Sequence, residues 1–187
     1  MSPPRDGMRG DLARSAPVTF RMETERLVIR RFSSADAPFV LRLLNEPSFL
    51  ENIGDKGVRT VEQAERYLLD GPIQSYSRHG HGLYLVSLKG SLVPVGMCGL
   101  LKRDRIPDVD LGYAFVPEHW SSGYAREAAL AILNSDEAAR FKRILAFVSP
   151  GNAPSIRLLE KLGFSFEGFT KLEPGAPDVS LYALQRG

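Results

Sequence analysis

Three strand-like patterns follow one another between residues 83 and 116 with connections too short to hold a helix. They are "LYLVSLK" (83–89), "VPVGMCGLL" (93–101) and "DVDLGYAFV" (108–116). A parallel pair needs a crossover of about a dozen residues or more. Neighbours joined by Gly90-Ser91 and by the polar loop ending at Pro107 therefore read as an antiparallel meander. The pattern then changes period. From Gly123 onward Ala125, Ala129, Ile132 and Leu133 fall on one helical face, and "RILAFVS" (143–149) is an apolar strand. "NAPSIRLLEKLGF" (152–164) is a short helix with Pro154 in its first turn and Gly163 as its stop, and "FSFEGFT" and "VSLYALQ" close as strands.

Upstream, "ERLVIRRF" (25–32) alternates as a strand, and "SSADAPFVLRLLNE" carries Phe39, Val40, Leu43 and Leu44 as a helical stripe. Thr60 and Gln63 fit a capping box opening a second helix, which is expected to stop at Gly71-Pro72; the polar stretch to Gly82 has room for another short helix. The expected architecture is a mixed α/β (α+β) fold around one largely antiparallel sheet. A chain of 187 residues with 43% apolar and 25% charged residues suits a single domain, and it contains no internal repeat.

Several function classes are disfavoured. A formal charge of +2, with no basic run interleaved with aromatics, gives no footprint for nucleic acid. One cysteine, Cys98, rules out an internal disulfide framework and fits a reducing compartment. "LVPVGMCGLL" (92–101) is broken by Pro and Gly and too short to span a membrane. The opening "MSPPRDGMRGDLARSAP" lacks the apolar core of a secretory signal, so residues 1–21 are expected to be a disordered lead, with the domain over 22–187 and a cytoplasmic location.

"FVPEHWSSGYAREAA" is the chemically suggestive stretch. Pro117 has no amide hydrogen for a ladder, so the strand ends there. The chain enters a helix through Ser121, Ser122 and Gly123, residues of little bulk. The first four amides of a helix lack internal partners and sit at the positive end of its dipole. Two readings stay open at this point: a serine-capped helix start, or a cradle for a pyrophosphate. About thirty residues on, "SPGNAPSIRLLEKLGF" opens another helix with Asn152 and Ser155, so two helix mouths would face one cleft if the preceding strands splay apart.

From "LGYAFVPEHWSSGYAREA" to "NAPSIRLLEKLGFSFEG" the chain resembles the acetyl-CoA-binding half of the GNAT acetyltransferase superfamily. The "GYA-x-EA" and "N-x-x-S…EKLGF" patterns and the opening "TERLVIRRFSSADAPFV" are most similar to the branch containing ribosomal-protein N-terminal acetyltransferases. The resemblance spans Glu25 to Gln185 and implies a twisted sheet whose splayed strand pair forms the acyl-CoA cleft. It implies acetyl-CoA as cosubstrate, with pyrophosphate on the amides of Ser121, Ser122, Gly123, Tyr124 and Ala125. It also implies that Phe115 and Val116 pair with the pantetheine arm as an added strand, and that Asn152 bonds that arm near its thioester end. One departure is Ser121, where this branch usually carries glycine; the Cβ makes the loop less permissive.

The implied reaction is attack of a primary amine on the thioester, with a peptide or protein N-terminal α-amine as the leading acceptor. An α-amine titrates near pH 8 and needs only a weak base. Ser155 is the first candidate to protonate the leaving thiolate, ahead of Tyr113 and Tyr124. Asp110 is the first candidate base, with Asp108, Glu167 and Glu173 behind it. His79 and His81 lack metal-ligand partners, so no metal is expected. Cys98 reads as a small buried hydrophobe, Trp120 as packing that fixes the loop, and Glu127 as support for the first helical turn. The acceptor side is expected from residues 45–60, 72–82 and "KLEPGAPD", with Asn45, Glu46 and Glu51 available to a cationic amine. The alternatives are an acetyltransferase for a small-molecule amine (aminoglycoside or polyamine) and a non-catalytic acyl-CoA-binding module. No membrane partner is expected, and monomer or homodimer both remain open.

Overall fold

The computed structural model describes residues 20–187, so all but the last two residues of the expected lead lie outside it. Those two belong to the fold. Arg21 pairs with Arg30 in the sheet, and Phe20 stacks on Tyr84 with ring centroids 4.1 Å apart.

The strands are β1 (Arg21–Glu23), β2 (Leu27–Arg30), β3 (Leu83–Leu88), β4 (Pro94–Lys102), β5 (Val109–Phe115), β6 (Arg143–Val148), β7 (Ser165–Thr170) and β8 (Val179–Gln185). They form one sheet in the order β1-β2-β3-β4-β5-β6-β8-β7. The meander of β3, β4 and β5 is antiparallel, as the short connections require, and every other pair is antiparallel except β5 with β6. β8 inserts between β6 and β7, an order the linear pattern did not reveal.

Helices cover both faces. α1 (Ala37–Leu44), α2 (Pro47–Asn52), α3 (Val61–Leu68) and α4 (Gln74–His79) precede β3; α5 (Tyr124–Leu133) and α6 (Asp136–Ala139) follow β5; α7 (Ala153–Lys161) follows β6. The Thr60–Gln63 capping box is formed, with the Gln63 amide donating to Thr60 Oγ1 at 3.2 Å. The helix does not stop at Gly71-Pro72. Residues Leu69–Ile73 widen into a π turn that carries Pro72 and runs straight into α4. A wider turn accommodates a residue that cannot donate an amide hydrogen bond.

Strand alternation divides the core. Leu27, Ile29, Tyr84, Val86, Cys98, Leu100, Val109 and Leu111 pack with Ala128, Ala129 and Ile132 of α5 and Leu159 of α7. On the opposite face Leu83, Leu85, Met97 and Val116 pack with Val40, Leu43, Leu44, Ala64 and Leu68 of α1 and α3. Full burial of each such side chain contributes about 1.5–3 kcal/mol. Among the described residues, no helix is long and apolar enough to cross a membrane.

Candidate active site

β5 and β6 pair through two residue pairs only, Val109 with Ile144 and Asp110 with Leu145, although β5 runs on to Phe115 and β6 to Val148. Beyond that point the sheet forks. β5 itself stays laddered to β4 as far as Phe115, and the chain leaves the sheet after Val116 through a tight turn over Pro117–His119. The Val116 amide donates to Val95 O of the β4 side at 3.0 Å and its side chain is buried. Alternation then turns the Phe115 amide and carbonyl toward the fork. The Phe115 carbonyl accepts Trp120 Nε1 at 2.8 Å. Trp120 therefore fixes the loop by a hydrogen bond, with its ring half exposed.

The loop itself settles how α5 begins. Gly123 precedes the helix with φ +81° and no side chain caps it, which removes the serine-cap reading. Ser121 is also left-handed, at φ +59°. This is the position where glycine suits the backbone, and serine accepts the strain. Among the described residues, no acceptor faces the amides of Ser121, Ser122, Gly123, Tyr124 and Ala125. The carbonyls are held from behind: Trp120 O accepts Ser122 Oγ at 3.4 Å, and Ser122 O accepts Arg26 Nη1 at 2.8 Å. Unpartnered amides at a helix start, framed by left-handed residues, make an anion-binding concavity.

The second mouth is built differently. Asn152 caps α7, its Oδ1 accepting the Ser155 amide at 3.2 Å. Only the Nδ2 end of that side chain is left for a ligand. The Ser155 hydroxyl lies 2.6 Å from the Tyr113 hydroxyl, so β5 and α7 meet through this pair. Burial pushes the Tyr113 phenol up to about 12, and the Ser155 contact offsets it only in part. Tyr113 stays protonated at neutral pH.

Asp110 needs correction as the candidate base. It is 2% exposed and both its oxygens are held by Arg103, at 2.8 and 3.0 Å. By alternation it faces the side of β5 away from Tyr113 and Ser155. Burial raises its carboxyl above the ordinary range despite the Arg103 contact. With both oxygens engaged, it anchors the β4–β5 turn rather than receiving a proton. Asp108 and Glu167 are likewise engaged, both with Arg143.

On that same face the early helices leave part of the sheet uncovered. A cleft of about 370 Å³ opens over Leu145, Phe147 and Leu181, walled by Arg105 and Ile106 on one side and Thr170–Pro174 on the other. The "KLEPGAPD" loop reaches this cleft, and Glu173 lines it. Residues 72–82 do not; they run through α4 into Tyr76 and His81, both buried. Asn45 ties down its own loop, donating to Leu41 O and Val58 O, and Glu46 pairs with Arg42 at 3.3 Å. His81 Nδ1 meets Leu100 O at 2.9 Å, and among the described residues no group of three or more His, Cys, Asp or Glu could hold a metal. Cys98 is fully buried, which pushes its thiol up to about 12.

Sequence reading missed Thr24 and Arg26. Thr24 Oγ1 donates to Glu127 Oε1 at 2.6 Å and the Arg26 amide donates to the same oxygen at 2.9 Å. Arg26 Nε reaches Glu127 Oε2 at 2.7 Å, and the guanidinium lies 4.7 Å from the Tyr124 ring centre. No local pattern signals a contact across about a hundred residues.

Known proteins share this fold. The chain matches the acetyltransferase (GNAT) domain family over residues 26–165. It is 30% identical to the uncharacterized N-acetyltransferase YnaD of Bacillus subtilis, the alignment covering 79% of this chain and 84% of that one. The GNAT-family acetyltransferase structure from Bacillus anthracis superposes with a TM-score of 0.71 at 28% identity, covering 89% of this chain and 98% of that one. RimL, the ribosomal L7/L12 α-N-protein acetyltransferase solved in complex with coenzyme A, shares the fold at a TM-score of 0.74 and 18% identity, over 87% of this chain and 96% of that one. With its forked sheet and open helix start, this chain belongs to the GNAT acetyltransferase family.

Proposed function

We propose that the protein transfers an acetyl group from acetyl-CoA to a peptide or protein N-terminal α-amine. The observation that carries the cosubstrate reading is the row of unpartnered amides from Ser121 to Ala125 beside the fork of β5 and β6. A pyrophosphate fits those donors, and the pantetheine arm fits the fork, where the Phe115 amide offers the strand-like contact. Val116, whose amide is already bonded to Val95, contributes buried packing instead. Asn152 Nδ2 would hold the arm near the thioester.

The fork joins the two faces of the sheet. The acceptor would approach from the cleft over Leu145 and Phe147, while Ser155 and Tyr113 stand on the other side. Positioning the amine against the thioester supplies much of the rate. The Phe115 amide would stabilise the developing oxyanion. Ser155 would hydrogen-bond the leaving thiolate, with the Tyr113 hydroxyl behind it as the second member of a relay. The ammonium proton would pass to water or to Glu173; an α-amine needs no strong base.

The cleft lining favours a peptide over a polycation. Its charged lining is Arg105, Glu173 and Lys171, the last already paired with Asp178 at 3.3 Å, so it offers no cluster of carboxylates to match an aminoglycoside or polyamine. Its apolar floor suits side chains following an α-amine. The test is acetyl-CoA consumption against a panel of N-terminal peptides and polyamines, alongside calorimetry with coenzyme A. Turnover on peptides is expected, and Ser155→Ala should lower kcat more than it raises KM for acetyl-CoA. Heat of binding without turnover on any acceptor would instead make this a binding module, and no heat would remove the cosubstrate reading.

A further inference from the structure

We propose that Arg26 is the positioning residue of the anion-binding loop: clamped to α5 by Glu127, it holds the Ser122 carbonyl and so keeps the 121–125 amides facing outward. This rests on the cosubstrate reading given above. One guanidinium ties the loop to the first turn of α5. Nη1 donates to the Ser122 carbonyl at 2.8 Å, Nε donates to Glu127 Oε2 at 2.7 Å, and Cζ lies over the Tyr124 ring, 4.7 Å from its centre. Glu127 is in turn pinned through its other oxygen by the Thr24 hydroxyl and the Arg26 amide. The clamp thus closes on both oxygens of one carboxylate.

The loop needs such a hold. Left-handed residues on either side of Ser122, one of them non-glycine, describe a backbone that the chain would not choose by itself. A peptide unit flips by turning its carbonyl and the next amide together. Capturing the Ser122 carbonyl from behind therefore fixes where the Gly123 amide points. Arg26 and Glu127 together carry no net charge, so the clamp acts through geometry more than through added positive potential. Exposure separates it from an ordinary surface ion pair: Glu127 is only 17% exposed, and the arginine has acceptors on two elements.

The experiment compares wild type, Arg26→Ala and Arg26→Lys in the full chain. Calorimetry measures coenzyme A binding, and kcat/KM is measured with acetyl-CoA and with S-acetylpantetheine, which lacks the pyrophosphate. Both variants should bind coenzyme A about tenfold more weakly, with kcat at saturating acetyl-CoA nearly unchanged and kcat/KM for S-acetylpantetheine preserved. Lysine lacks the planar fork and should not restore affinity. Equal losses with both donors, unchanged coenzyme A binding, or full restoration by lysine would each overturn the proposal. If Arg26→Ala does not fold, Arg26→Lys and Glu127→Gln carry the same comparison. Failure of wild type to bind coenzyme A is a separate result and would remove the cosubstrate reading beneath it.

Discussion

The two helices that open on the fork begin in opposite ways. α7 is capped: Asn152 occupies one of its first amides, and the Ser155 side chain is turned to Tyr113. α5 has no cap, and its entry is bent through two left-handed residues that leave a row of amides unpartnered. A capped start stabilises a helix by about 1 kcal/mol. An uncapped one forgoes that, and its free donors stay available to an anion. Under the proposed cosubstrate reading, the difference would give the two mouths distinct portions of one ligand, a charged group at α5 and an amide-bearing arm at α7.

Gly123→Val should break the α5 side most severely. A Cβ there meets Arg26 Nη2 at 3.3 Å, and φ +81° costs a non-glycine residue about 1–2 kcal/mol. Coenzyme A binding should weaken by well over tenfold while α7 and its Asn152 cap stay intact; calorimetry and thermal melts check both. Next in size, two substitutions at Asn152 separate cap from ligand contact. Asn152→Asp keeps an oxygen for the Ser155 amide and should preserve stability, yet weaken pantetheine-arm binding about fivefold. Asn152→Ala should show the same binding loss together with about 1 kcal/mol of lost stability. Equal melts for both variants would contradict the cap.

A smaller effect concerns acid. Burial alone would raise the Glu127 carboxyl, but Thr24 and Arg26 together hold it below its ordinary 4.5. Its contribution to stability is therefore complete above about pH 4.5 and is lost as pH falls through the lowered value. Melts across that window should show a low-pH limb that Glu127→Gln flattens. The smallest change is expected from Ser121→Gly. Relief of left-handed strain and the added flexibility of glycine nearly cancel, leaving a gain of no more than about 0.5 kcal/mol. Coenzyme A affinity should stay as it was.

What the sequence made legible was local. The Thr60–Gln63 box, the meander and the bend after Pro117 each follow from neighbours in the chain, and each is present. Ser155 and Tyr113 were each singled out, but only folding brings them within 2.6 Å. Arg26 was invisible for the same reason, whereas Arg103 stands only seven residues from Asp110, across the β4–β5 turn, with no pattern aiming it there. Arg103 is what turns Asp110 from a candidate base into a buried ion pair, and nothing in "DVDLGYAF" announces that partner. The insertion of β8 beside β6 is equally non-local, since either closing strand could have taken that place by pattern.

The junction at Val109–Ile144 and Asp110–Leu145 has a mechanical consequence. Five strands on one flank and three on the other are stitched by a seam of two rungs. Under the proposed cosubstrate reading, a carrier lying along Phe115 would add rungs beyond that seam and bridge the two flanks. Seating the carrier would then also brace the seam, and slower amide exchange along 111–115 on adding coenzyme A would be its signature.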